Sequence, residues 1–233
     1  GFWTFGQGLA GPLYSVFMLD RLKISYTEIS IFNGLFMATS ILGYRVWSVL
    51  IDRFGSKAVL QLLIIPASAI PFIWIFNEPG HYILVPIALV LSGIFYSGIG
   101  IGVNPLLFQL LPQGQKRTVY LAAWSVAVNL MGALGTFVGS FLAGKLVDFS
   151  MFIFGFNVGN LQVLFGLSSI CCFISFILLQ RVQDSKHIRS RELLSQMRRG
   201  NLLSYAYNAA IFNIAHGERT RARAAEALGR SGN

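Results

Sequence analysis

Eight polar side chains stand inside long apolar runs, and their types suit hydrogen bonding to a small molecule. They are Gln7, Tyr14, Asn33, Tyr96, Asn104, Gln109, Trp124 and Asn129. Amides seldom face hydrocarbon, so the sequence predicts that they point inward and line a binding site. The plainer reading of any one of them is interhelical hydrogen bonding worth ~0.6–2 kcal/mol. No catalytic residue, metal ligand or cofactor is predicted. His81 falls in a break between apolar runs and His187 and His216 in a charged tail, with no nucleophile–base spacing among them. Cys171 and Cys172 are adjacent, without the second spaced set that a metal site or disulfide needs, and read as small packing residues. Gly98-Ile-Gly-Ile-Gly-Val-Asn-Pro105 follows no strand and lacks a Lys, so it is no phosphate loop. Pro105 and these glycines predict a loosened, flexing helix, the other reading being a close-packed one.

A second constellation is charged. Ser48, Leu50, Asp52, Arg53, Gly55 and Lys57 occupy a short turn between two apolar runs. A turn this tight calls for a residue without Cβ, which Gly55 supplies. Arg53 and Lys57 suit the anionic face of a bilayer. Asp52 sits near a helix C-terminus, where a carboxylate is unfavourable unless a cation or another helix N-terminus receives it. A local pair with Arg53 or Arg45 would serve as well.

The elements that position these residues follow from composition. The chain is 55% hydrophobic and 12% charged, with mean hydropathy +0.63, whereas soluble domains carry roughly 25% charged residues. Six apolar segments emerge, Phe2–Leu19, Ile29–Leu50, Ala58–Phe76, Tyr82–Leu111, Tyr120–Ala143 and Leu161–Leu179. Each approaches the roughly 20 residues that a helix needs to cross hydrocarbon. Continuous apolar runs exclude the alternating pattern of a barrel. Ser25 and Glu28 are spaced as a capping box before the second segment. Gly132, Gly135 and Gly139 predict close approach of another backbone to the fifth. The formal charge of +9 is topological information and calls for no nucleic acid. With the Asp52 turn in the cytoplasm, that side collects Arg45, Arg53, Lys57, Lys116, Arg117 and everything basic from Arg181 onward. The other side keeps Arg21, Lys23 and Lys145. This bias predicts both chain ends in the cytoplasm.

The Leu50-x-Asp52-Arg53-x-Gly55-x-Lys57 spacing resembles the Gly-x-Leu-x-Asp-Arg-x-Gly-Arg/Lys loop of major facilitator superfamily (MFS) transporters. It departs from that pattern at Ser48, where the loop's leading Gly stands. The order of segments is similar to the second half of such a transporter. The resemblance implies an all-α membrane protein of six transmembrane helices over 1–182, half of an MFS-type bundle, followed by a helical cytoplasmic tail over 183–233. It further implies a small-molecule substrate, a missing amino-terminal six-helix half, a bacterial cytoplasmic membrane and alternating access. Asp52 would then make a gating contact, and the first, second, fourth and fifth helices would line the cavity with the third and sixth peripheral. Gly139–Asp148 loosely echoes the Asp52 turn, as inverted three-helix repeats would.

The opening at Gly1, already apolar, carries no signal-peptide pattern and suggests a chain that has lost its beginning. Glu218–Gly229 looks like the opening of a HEAT-type repeat, which needs stacked neighbours. That leaves an alternative function, a membrane-anchored scaffold or receptor whose tail binds a protein partner.

Overall fold

A backbone surrounded by lipid has no water to bond, so every N–H and C=O must find its partner within the chain. The computed structural model meets that demand with helices. It describes residues 1–182 apart from Gln113, Gln115, Asp148, Phe154 and Gly155. The basic tail, its HEAT-like stretch and the Asp148 end of the internal echo lie outside the described residues.

Helix α1 (Phe2–Val16) runs on through a π turn, Phe17–Arg21. It is followed by α2 (Tyr26–Phe54), α3 (Ser56–Ile73, closed by a 3-10 turn over Trp74–Phe76), α4 (Leu84–Leu110), α5 (Lys116–Lys145) and α6 (Asn160–Gln180). Among the described residues five helices, α2 to α6, are long and apolar enough to cross a membrane. The 15 residues of α1 reach about 22 Å, and its π turn supplies the remaining helical length. The break expected over Gly144–Asn160 is not plain loop. It holds an antiparallel hairpin, β1 (Ser150–Ile153) with β2 (Phe156–Gly159), Ser150 facing Gly159 and Ile153 facing Phe156.

Local signals explain the boundaries. Ser25 caps α2 by accepting from the Glu28 N–H at 3.3 Å, and Glu28 Oε2 accepts from the Ser25 N–H at 3.0 Å. That is the reciprocal pair predicted from their spacing. Gly55 alone joins α2 to α3, with φ +88°, a backbone conformation that a side chain resists.

Packing rests on close backbone approach. Helix α2 lies chiefly on α4, α1 on α5 and α6, and α3 on α4 and α6. A Cβ at Gly135 would stand 2.2 Å from the Phe5 carbonyl oxygen, one at Gly139 2.3 Å from that of Leu9, and one at Gly8 2.4 Å from that of Gly132. Helices α1 and α5 therefore touch along one stripe, as the α5 glycines predicted. Thr136 Oγ1 adds a hydrogen bond to the Gly8 carbonyl at 3.3 Å. Gly43 and Gly93 perform the same service between α2 and α4, and Trp47 Nε1 donates to the Ile94 carbonyl at 2.7 Å across that seam. Helix α4 runs unbroken through Pro105. Two of its three central glycines are packing positions, Gly98 under the Trp47 ring and Gly102 against Leu60; only Gly100 faces open space. The structure thus favours the close-packed reading of this segment over the flexing one.

The two ends of the bundle are distinct. At one, Lys57 Nζ donates to the Val182 carbonyl, joining the Gly55 turn to the end of α6. At the other, Arg21 Nη2 donates to Asn160 Oδ1 at 3.3 Å, and Asn160 Nδ2 donates to the Ala143 carbonyl at 2.9 Å. At this second end Tyr82 Oη donates to Glu28 Oε1 at 3.2 Å, which raises the Tyr82 phenol above its ordinary range.

Replacing Gly139 with Val drives a side chain into the α1 backbone, and overpacking of this kind costs about 1–3 kcal/mol. Thermal unfolding of the full-length protein in detergent is expected to show the loss for Gly139→Val. Gly144→Val, where a Cβ meets nothing within 4 Å, should leave the transition close to that of the parent.

Candidate functional site

A cavity of about 650 Å³ opens at the Lys57 end of the bundle. Its walls come from the start of α1, the Tyr96–Leu110 stretch of α4, Trp124 and Val128 of α5, the end of α6 and two α3 residues. The volume falls in the range of small-molecule sites, ~300–1,000 Å³. Three of the eight sequence candidates meet there: Tyr96, Asn104 and Trp124. Asn104 and Trp124 are exposed to the cavity, and Tyr96 is half-buried with its ring edge-on to Trp3 at 5.6 Å. The helical register accounts for the α4 pair. Gly100 lies between Tyr96 and Asn104 at the same four-residue spacing, and its lack of a side chain keeps that face recessed.

Gln7 stands just behind this wall. Its Nε2 donates to Tyr96 Oη at 3.2 Å and to Cys172 Sγ at 3.5 Å, tying α1 to α4 and α6. Ser168 Oγ donates to the Gly6 carbonyl at 2.6 Å one turn away. The amide therefore orients a cavity residue and is itself the interhelical contact that the plainer sequence reading allowed.

The other four candidates are elsewhere. Tyr14 is stacked on Phe165 at 4.8 Å and leans on Trp74 at 4.5 Å, in the aromatic cluster joining α1 to α6 and the end of α3. Asn33 is exposed on α2 and Gln109 near the end of α4. Asn129 is exposed on α5 and bonds its own helix at the Ser125 carbonyl, 2.7 Å away. None of the four lines the cavity. Polarity inside an apolar run did not fix which way a residue faces: against the expectation that all point inward, Asn33, Gln109 and Asn129 are exposed on this bundle. Trp3, Thr4 and Ser175 also line the cavity and were not among the candidates, since nothing local sets them apart from the other aromatics and hydroxyls in the apolar runs.

The motif turn is built as its residue types suggest. Leu50 is buried, and Asp52 is exposed at the last turn of α2. The exposed Ser48 hydroxyl donates to the Arg45 carbonyl at 3.0 Å. The Arg53 guanidinium lies 5.2 Å from the Phe54 ring centre. Lys57 carries its charge to the C-terminus of α6, where unpaired carbonyls attract a cation.

Comparison with known proteins agrees with this architecture. The family description "Major Facilitator Superfamily" matches residues 2–217. The chain belongs to that superfamily. Membership makes it an integral membrane protein and groups it with transporters of small molecules rather than with enzymes. A relative from Bacillus subtilis (strain 168), named "Uncharacterized transporter YwbF", is 24% identical over 189 residues, 80% of this chain and 44% of the relative. The MFS chain thus spans less than half the length of that relative.

Removing the Lys57 ammonium exposes the last carbonyls of α6, and a hydrogen bond of this kind is worth about 0.5–1.5 kcal/mol. In Lys57→Met, hydrogen exchange at the Arg181 and Val182 amides, which close the final turn of α6, should quicken by about three- to tenfold. An unchanged rate would show that this cation does not hold the helix end.

Proposed function

We propose that this chain forms the second six-helix half of an MFS transporter, with 183–233 as its cytoplasmic tail. In this reading α1 is the sixth membrane span, and the intact protein moves a small solute by alternating access. One observation carries the proposal: the cavity that gathers Tyr96, Asn104 and Trp124 opens at the same end as the Asp52 turn. A binding wall and the motif that resembles a gate thus share one end of the bundle. The apolar surface left uncovered fits a missing partner half. Only 11% of the most apolar stretch of α5 and 22% of that of α2 are buried, against 50% for α3. An amino-terminal six-helix half seated on α2 and α5 would cover those faces and close the cavity.

The basic residues set the orientation. Lys57, Arg53, Arg45, Lys116 and Arg117 share the motif end, and Arg21 and Lys145 the hairpin end, a bias that supports a cytoplasmic motif end, in this reading at a bacterial inner membrane. Asp52 acts as a gating carboxylate, its charge at the α2 C-terminus stabilised in one access state by a partner from across the bundle. A contact made in one access state alone couples the states by ~1–3 kcal/mol.

Solute flux by the full-length protein in proteoliposomes tests the assignment. Asp52→Asn is expected to lower flux by about 5- to 100-fold while the protein stays folded. Unchanged flux would remove Asp52 from the gate.

A further inference from the structure

Among the described residues, no charged side chain lines the cavity. Its polar groups are the Asn104 amide, the Tyr96 and Thr4 hydroxyls, the Trp3 and Trp124 indoles and the Ser175 hydroxyl, all neutral. The rest of the wall is Phe2, aliphatic side chains and glycine. Around it, α1, α4 and α6 contain no Asp, Glu, Lys or Arg at all, and the charges of α5 are confined to its two ends. An ion seated against this wall loses hydration and gains no counter-charge from it, which is costly. A neutral molecule loses only hydrogen bonds, and these the wall can replace. An amide offers donors and an acceptor together, an indole N–H one donor, a hydroxyl both.

The aromatic groups narrow the class further. Phe2, Trp3, Tyr96 and Trp124 place four large rings around one space, Trp3 and Tyr96 edge to face. Rings so placed offer broad apolar faces for another flat surface, with polar groups close by. On the reading of this cavity as the transport site, we infer that its ligand is a net-neutral, hydroxylated molecule with a flat ring face, of the glycoside or nucleoside kind. Trp124 supplies the face and Asn104 the hydrogen bonds.

Equilibrium dialysis of the full-length protein in detergent, with three probes, tests the class. The probes are phenyl β-D-glucopyranoside (neutral), phenyl β-D-glucuronide (anion) and phenyltrimethylammonium (cation). The neutral glycoside should bind at least about tenfold more tightly than either ion. Trp124→Ala should weaken it about tenfold, and Trp124→Phe, which keeps a ring, should retain most of the binding. Asn104→Asp, a change of nearly equal volume, should shift the preference toward the cation by about tenfold. The inference is overturned if either ion matches the glycoside, if none of the three binds, or if Asn104→Asp leaves the ratios unchanged. Flux of the same probes is measured separately in proteoliposomes. Glycoside binding without flux would end the transport reading and leave the ligand class intact; flux of a charged probe would do the reverse.

Discussion

Helices immersed in hydrocarbon gain little from hiding apolar side chains from one another, because the lipid is as apolar as they are. What holds them together is the close fit of one surface against another, and in this chain the fit depends on missing side chains. Gly8, Gly135 and Gly139 bring α1 and α5 within backbone contact, and Gly43 and Gly93 do so for α2 and α4. At these distances dispersion and weak C–H···O contacts act over whole helix faces. The stronger polar bonds, from Trp47 to Ile94 and from Ser168 to Gly6, then fix the register.

The cavity is a consequence of the same constraint. Helices α1 and α5 meet tightly along one stripe, and α4 is held against α2 and α3 by Gly98 and Gly102. Between those two seams, at the motif end, the helices diverge and leave space lined by Tyr96, Asn104 and Trp124. Gln7 bridges the divergence just beyond the cavity, through Tyr96 on one side and Cys172 on the other. Beside the opening, Lys57 ties the Gly55 turn to the end of α6. The neutrality of the walls follows from the solvent too, since a charge along these helices would face lipid or an unpaired interior.

Much of this was legible in the residues. The apolar runs fall within a few residues of α1 to α6, five of which are long and apolar enough to cross a membrane, because hydrocarbon thickness and backbone hydrogen bonding leave few other choices. Ser25 with Glu28, and Gly55 between two helices, announced their local geometry, since each turns on bonds or dihedrals within a few positions. The glycines of α5 announced a close contact for the same reason that they make one. What escaped is whatever depends on rotation about a helix axis. Tyr14 and Asn129 looked alike as polar residues in apolar runs, yet one is stacked among aromatics and the other is bonded to its own backbone. With nearly every position apolar, hydropathy has no preferred face and cannot orient the helix. The hairpin at 150–159 and the π turn after α1 escaped because both lie where short polar breaks and aromatic residues mix, without a sustained period.

The account requires that the bundle cross a bilayer, with the Lys57 end and the hairpin end on opposite faces. Single cysteines at Lys116 and His81, both exposed and at opposite ends of α4 and its flanking turns, read this directly in intact cells. A membrane-impermeant maleimide should label His81→Cys from outside, while Lys116→Cys reacts only after the membrane is opened. Labelling of both from the same side would contradict the account.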